Sequence, residues 1–107
     1  MKDLFKGGVM YRPLPECLTI KNSKIEGLGL FAVIDIPKGI DLGISHIKLL
    51  SKWERTPLGG FYNHSEEPNC IKVSHRNQFK EWLELRTIKE IKAGEEITVE
   101  YTLYKIK

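Results

Sequence analysis

Apolar and polar residues alternate most clearly in the second half of the chain. Ile71 and Val73 alternate with Lys72 and Ser74, Trp82 to Ile88 form a longer run of strand formers, and Glu96-Ile97-Thr98-Val99-Glu100-Tyr101 alternates strictly. A period of two sends successive side chains to opposite faces of an extended backbone. These runs therefore predict three strands, the first two joined as a hairpin through His75-Arg76-Asn77-Gln78. In the first half, Leu18-Thr19-Ile20-Lys21 reads as a short strand with one apolar face. Glu26-Gly27-Leu28-Gly29 is a tight backbone feature, and Leu30-Phe31-Ala32-Val33-Ile34 reads as a buried strand. Ile36-Pro37-Lys38-Gly39 and Ile91-Lys92-Ala93-Gly94 are two similar turns and not a repeat. Ser51-Lys52-Trp53-Glu54 fits a capping box, so a helix is predicted there, stopped within one or two turns by Pro57, Gly59 and Gly60. Phe61 to Asn69 is the stretch densest in turn formers and polar groups. The class is mainly β with one short helix, in a single domain over residues 1–107.

Composition changes this picture little. A chain of 107 residues buries roughly two thirds of its unfolded surface, enough for one core without staples. The 41% hydrophobic and 29% charged residues are those of an ordinary soluble protein. No apolar run approaches a membrane span and Met1 to Lys6 lacks a signal-peptide core, so no membrane partner and an intracellular location are expected. The net charge of +3 comes from cations spread along the chain, with a loose cluster at Lys72, Arg76 and Lys80. A nucleic-acid binder would show a sharper basic face, so no nucleic-acid partner is expected. Cys17 and Cys70 read as two thiols, Cys70 as a small buried one. Neither shows the paired spacing of a zinc site, and no metal is expected.

Three stretches in order resemble the SET-domain family. Gly27-Leu28-Gly29-Leu30-Phe31 is similar to its Gly-x-Gly and following aromatic strand. Asn63-His64-Ser65-x-x-Pro68-Asn69 is similar to its Asn-His-Ser-Cys-x-Pro-Asn, and Gly94-Glu95-Glu96-Ile97-Thr98-Val99-Glu100-Tyr101 to its Gly-Glu-Glu-Leu-x-x-Asp-Tyr. The resemblance runs from about Leu18 to Tyr104. It implies several small curved β-sheets, with the Asn-His-Ser segment and the last strand meeting in a knot-like crossing, a threading rare in proteins. It also implies transfer of a methyl group from S-adenosylmethionine to a lysine ε-amine, hence a protein or peptide substrate with an accessible lysine.

The residue types suit that chemistry. Gly27 and Gly29 lack a Cβ, so the backbone through Leu28 can approach a ligand and take positive φ; a plain turn between strands would need the same. Asn63 offers two donors and an acceptor and a neutral His64 one of each, enough to hold cofactor and to tie down a loop. The resemblance places Gly27, Leu28, Gly29, Asn63 and His64 at the cofactor, with Tyr104 closing a pocket. It makes Tyr101 the catalytic residue. A lysine at neutral pH is almost wholly an ammonium, whereas a displacement on a sulfonium needs the free amine. Desolvation and the nearby sulfonium depress the amine's pKa, and the Tyr101 phenol aligns it. Glu95 and Glu96 read as turn and surface residues.

Five departures stand out. Glu66 replaces the family's Cys and Gly60 a larger residue. The family's Tyr-x-Gly is not recognisable in Ile40 to Leu50, where Asp41 to His46 stand. The insert that builds one wall of the peptide groove is cut to roughly Lys48 to Gly59, and no cysteine-rich tail follows Tyr104. A homodimer is expected to supply the missing wall, or else the arm Phe5 to Tyr11. The rival reading is a catalytically silent SET-like module that binds a peptide or partner protein.

Overall fold

The computed structural model describes residues 14–100. Tyr101, Tyr104 and the arm Phe5 to Tyr11 lie outside the described residues. Strand β1 (Leu18–Asn22) turns back as β2 (Leu28–Ala32) to make a two-stranded sheet. β3 (Asp41–Leu49), β4 (Lys52–Arg55), helix α1 (Pro57–Gly60), β5 (Asn63–His64), β6 (Cys70–Arg76), β7 (Glu81–Thr87) and β8 (Thr98–Val99) follow. The second sheet runs β4-β3-β7-β6-β8-β5. Its first three pairings in space are antiparallel, but β8 enters between β6 and β5, parallel to both. The last described strand is thus inserted between two strands laid down earlier, which brings Asn63 opposite Thr98 and His64 opposite Val99.

The core lies where the two sheets meet. Leu30, Leu85, Ile91, Ile97 and Cys70 are fully buried, with Leu18, Ala32, Ile36, Leu42, Leu58 and Val99 nearly so. Ile97, Val99 and Leu85 sit where the alternating patterns put apolar side chains inward. The Cys70 thiol is buried as expected, and that burial pushes its pKa up to about 12. The two look-alike turns grip each other: Ile36 and Ile91 exchange both backbone hydrogen bonds, at 2.7 and 2.8 Å.

Two expectations are corrected. The Ser51 to Glu54 segment is a turn residue followed by strand β4, not a helix. Leu50 and Ser51 both take positive φ, 50° and 70°, and make a two-residue hairpin loop of the kind that matches strand twist. The helix comes later: Thr56 caps it by accepting from the Gly59 amide at 3.3 Å, and Pro57 opens it, where its missing N–H costs nothing. β2 also ends at Ala32. Val33 and Ile34 are exposed, because the chain leaves the sheet once the Ala32 amide has bonded the Glu95 carbonyl. Among the described residues no helix is long and apolar enough to cross a membrane.

Candidate active site

The β1–β2 turn builds the first half of the site. The Ser23 amide donates to the Gly27 carbonyl at 2.7 Å, closing the loop, and Gly27 takes φ +47° beside open space. Ser23 then organises the loop from within, its hydroxyl oxygen accepting from the amides of Ile25 (2.8 Å) and Glu26 (3.3 Å). Its own proton points at the Glu96 carboxylate, whose two oxygens lie 2.9 and 2.8 Å away. Asn63 completes the corner. Its Nδ2 donates to Glu96 at 2.7 Å, to Ser23 Oγ at 3.1 Å and to the Glu26 carbonyl at 3.3 Å. Gly29 makes room for this: a Cβ there would collide with the Glu96 carboxylate.

A second asparagine holds β8 in place. Asn69 Nδ2 donates to the Glu96 carbonyl at 2.8 Å, its Oδ1 accepts from the Thr98 amide at 2.8 Å, and its own amide reaches Thr98 Oγ1 at 3.2 Å. One side chain therefore bonds the backbone on both sides of Ile97 and fixes Glu96 against the glycine turn. A groove lined by Glu67, Asn69, Lys89, Glu90, Glu95 and Glu96 adjoins this corner. Its carboxylates outnumber its one lysine, so its potential favours cations.

The other side of β5 is different in kind. Neighbouring strand residues face opposite ways, so Tyr62 and His64 lie away from Asn63, their rings edge-on at 5.8 Å. Tyr62 also meets His46 edge-on at 6.4 Å, and Lys72 Nζ lies over its face, 5.9 Å from the ring centre. His46 is aimed there by a bulge in β3. Ile44 and His46 pair with consecutive residues Glu84 and Leu83, leaving Ser45 as the extra residue. Ser45 is fully buried, and its hydroxyl lies 2.9 Å from His46 Nδ1 and 3.3 Å from the Leu83 carbonyl. Burial, then the charges of Lys72 and Arg55, push the His46 pKa down to about 4, so its ring is neutral at pH 7. Burial also lowers the Lys72 pKa and raises that of Tyr62, the latter partly offset by Arg55.

The SET-domain family model matches residues 44–102, more than half of the chain. The chain belongs to the SET-domain family. In structure, this SET domain is similar to a candidate histone methyltransferase of Plasmodium falciparum, with a TM-score of 0.67 and 20% identity over 81% of this chain and 94% of that one. It is similar as well to the Polycomb Repressive Complex 2 of Chaetomium thermophilum in an autoinhibited conformation bound to S-adenosylmethionine. There the TM-score is 0.66 and the identity 22%, over 79% of this chain. An apo form of that complex gives 0.64 and 21% over 78% of this chain. The chain spans about 15% of the length of those Polycomb chains. At such identities the likeness is one of fold. No curated protein matches the chain. Family membership supports methyl transfer from S-adenosylmethionine to lysine at the level of the family.

Within this SET domain, Gly27, Gly29 and Asn63 converge on one corner, while exposed Leu28 leads out of it. His64 is exposed and turns to the Tyr62 side, so it does not share the Asn63 corner. Glu96 is not a plain surface residue but half-buried, bonded to both Ser23 and Asn63. Ser23 and His46 were not singled out by the pattern, and Asn69 and Lys72 were named only as part of a motif and of a loose cationic cluster. Ser23 and Asn69 carried a signal, as small polar residues flanking a glycine turn and a proline. Nothing in the sequence marked the meeting of Lys72 and His46 at Tyr62, because they come from distant strands. Among the described residues no group of three or more His, Cys, Asp or Glu is placed to hold a metal.

Proposed function

We propose that this chain is a protein lysine N-methyltransferase using S-adenosylmethionine, with residues 1–107 as its single SET domain. The observation that carries the reading is the Gly27–Gly29, Ser23, Asn63, Glu96 corner. It offers a carboxylate, an amide and a bare backbone turn side by side. Those groups fit a zwitterionic sulfonium compound: Glu96 takes its cationic part, and Asn63 and the Gly27–Leu28–Gly29 backbone, open at Gly27, take polar atoms. When bound, that compound supplies an electrophilic methyl carbon.

The chain's own residues do the rest. Asn69 locks the backbone of Glu96 and Thr98, so the carboxylate is held before any ligand arrives. The Tyr62 side, with a neutral His46 and two nearby cations, disfavours a second ammonium and so favours a lysine that enters as free amine. Tyr101, two residues on from Val99 in sequence, is assigned to orient that amine, and Tyr104 to close the pocket. His64 flanks the passage beside Tyr62. Tyr101→Phe is expected to lower turnover far more than cofactor affinity, and full activity in this variant on a good substrate would remove the role. The substrate is a protein lysine. Transfer of label from S-adenosylmethionine to proteins of a total cell lysate tests the reading directly; labelled protein is expected, and none would contradict it.

The segment that replaces the family's insert is the β3–β4 hairpin with α1, and it carries Leu50 fully exposed at its tip, with Leu49 and Trp53 beside it. In this reading a second copy of the chain completes the groove there. Sedimentation at micromolar concentration is expected to show a dimer; a monomer counts against it.

A further inference from the structure

We infer that β4 is a self-pairing edge, which joins two copies of this chain antiparallel about a twofold axis at Trp53. This builds on the dimer proposed above and gives its contact and register. β4 is the outermost strand on its side of the six-stranded sheet, and all four of its residues are exposed. An edge strand leaves a row of N–H and C=O groups open to another strand. The hairpin fixes which groups these are. Leu49 and Lys52 flank its two-residue loop and so form a hydrogen-bonded pair. Lys48 and Trp53 are then a non-bonded pair, and Ile47 and Glu54 a bonded one. Alternation therefore turns the N–H and C=O of Trp53 and Arg55 outward, and those of Lys52 and Glu54 inward towards β3.

A twofold contact uses the same patch on both copies. Only a register that sets outward residues opposite outward residues keeps the new ladder bonds, so the axis must pass at a residue and not between two. With Trp53 opposite the partner's Trp53, Lys52 falls opposite the partner's Glu54, and Glu54 opposite the partner's Lys52. Both ion pairs then occupy non-hydrogen-bonded positions, where facing side chains lie closest. Every other centre along β4, at Lys52, Glu54 or Arg55, sets like charges against each other. Charge selects one register. That register also extends a row already present in the sheet. Lys48 Nζ lies 5.9 Å from the Trp53 ring centre and 3.3 Å from Glu81, which in turn pairs with Arg76. Two such rows meet indole to indole across the axis, a favourable aromatic contact. Leu50, fully exposed at the hairpin tip, falls opposite the partner's Thr56, where β4 gives way to α1. A leucine held in water there gains from being covered.

The test is sedimentation of the full chain over a dilution series, for the wild type, Lys52→Glu and the double swap Lys52→Glu with Glu54→Lys. Circular dichroism on the same samples checks that each is folded. The wild type is expected to dimerise. Lys52→Glu sets Glu against Glu at both positions and is expected to weaken the dimer at least about tenfold. The double swap restores opposite charges and is expected to recover the wild-type affinity. A second readout needs no substitution. In hydrogen exchange, the Trp53 amide is expected to be protected in concentrated samples and to exchange faster on dilution. A dimer unmoved by Lys52→Glu, a dimer not rescued by the swap, or a Trp53 amide whose rate ignores concentration overturns this contact and leaves a dimer formed elsewhere. A wild type monomeric at every concentration overturns both the contact and the dimer. Neither result touches the methyltransferase reading, which label transfer tests separately.

Discussion

The two sides of strand β5 solve opposite problems. On the Asn63 side a carboxylate is held by short hydrogen bonds next to solvent, and the groove beside it is rich in further carboxylates. On the Tyr62 side His46 and Lys72 are packed against its ring, and burial lowers the pKa of both. One surface welcomes positive charge and the other penalises it. A reaction between a sulfonium and an amine needs both, because the first must be bound charged and the second must react uncharged. The difference lies in local architecture: a serine-centred glycine turn builds one side, and a bulge in β3 builds the other.

That contrast can be broken from its packing side first. Gly59→Ala would drive a Cβ into the Ser45 carbonyl, which two bonds from Thr56 hold in place. A loss of about 3 kcal/mol is expected in urea melts, since backbone has to move. Next comes pH. The folded pKa of His46 lies near 4, below its ordinary 6.5, so between those values the unfolded chain takes up a proton that the folded one refuses. Stability therefore falls as pH drops from 6.5 towards 4 and is flat in this respect above 6.5. With the ring partly in contact with water, about 1–2 kcal/mol is expected from this group. Comparing melts of the wild type and His46→Gln at pH 4.5 and 7 isolates it; equal pH dependence in both would contradict the assignment.

On the other side, Glu96→Gln keeps an acceptor and removes the charge. Affinity for S-adenosylmethionine is expected to drop about tenfold, with stability changed by less than about 1 kcal/mol. The smallest effect is a sharpening one. Lys72→Met removes one cation from beside His46, so its pKa, followed by proton NMR, should rise by about half a unit. No rise would mean that Lys72 takes no part in setting it.

Much of this architecture was legible in the chain. The alternation at Cys70 to Ser74 and Glu96 to Val99 marked β6 and β8, and the glycine and Asn-His-Ser stretches marked two parts of one corner. What escaped is what only tertiary pairing decides. Ser51-Lys52-Trp53-Glu54 has the letters of a helix start, but β3 offered Lys52 to Arg55 a full set of partners, and pairing overrode the local signal. Glu96 looked like a surface acid because its two partners, Ser23 and Asn63, lie 73 and 33 residues away. His46 and Lys72 meet across Tyr62 only after β3 and β6 have both joined β7.

Isothermal titration of S-adenosylmethionine into the wild type and Asn63→Ala is the most direct test that the Ser23–Asn63–Glu96 corner binds the methyl donor. Saturable heat at one site per chain is expected for the wild type, and affinity at least about tenfold weaker for the variant, whose loss leaves Glu96 short of its 2.7 Å donor. Equal affinity in both would place the cofactor elsewhere, and no heat in the wild type would leave a SET-like module that binds a protein partner without catalysis.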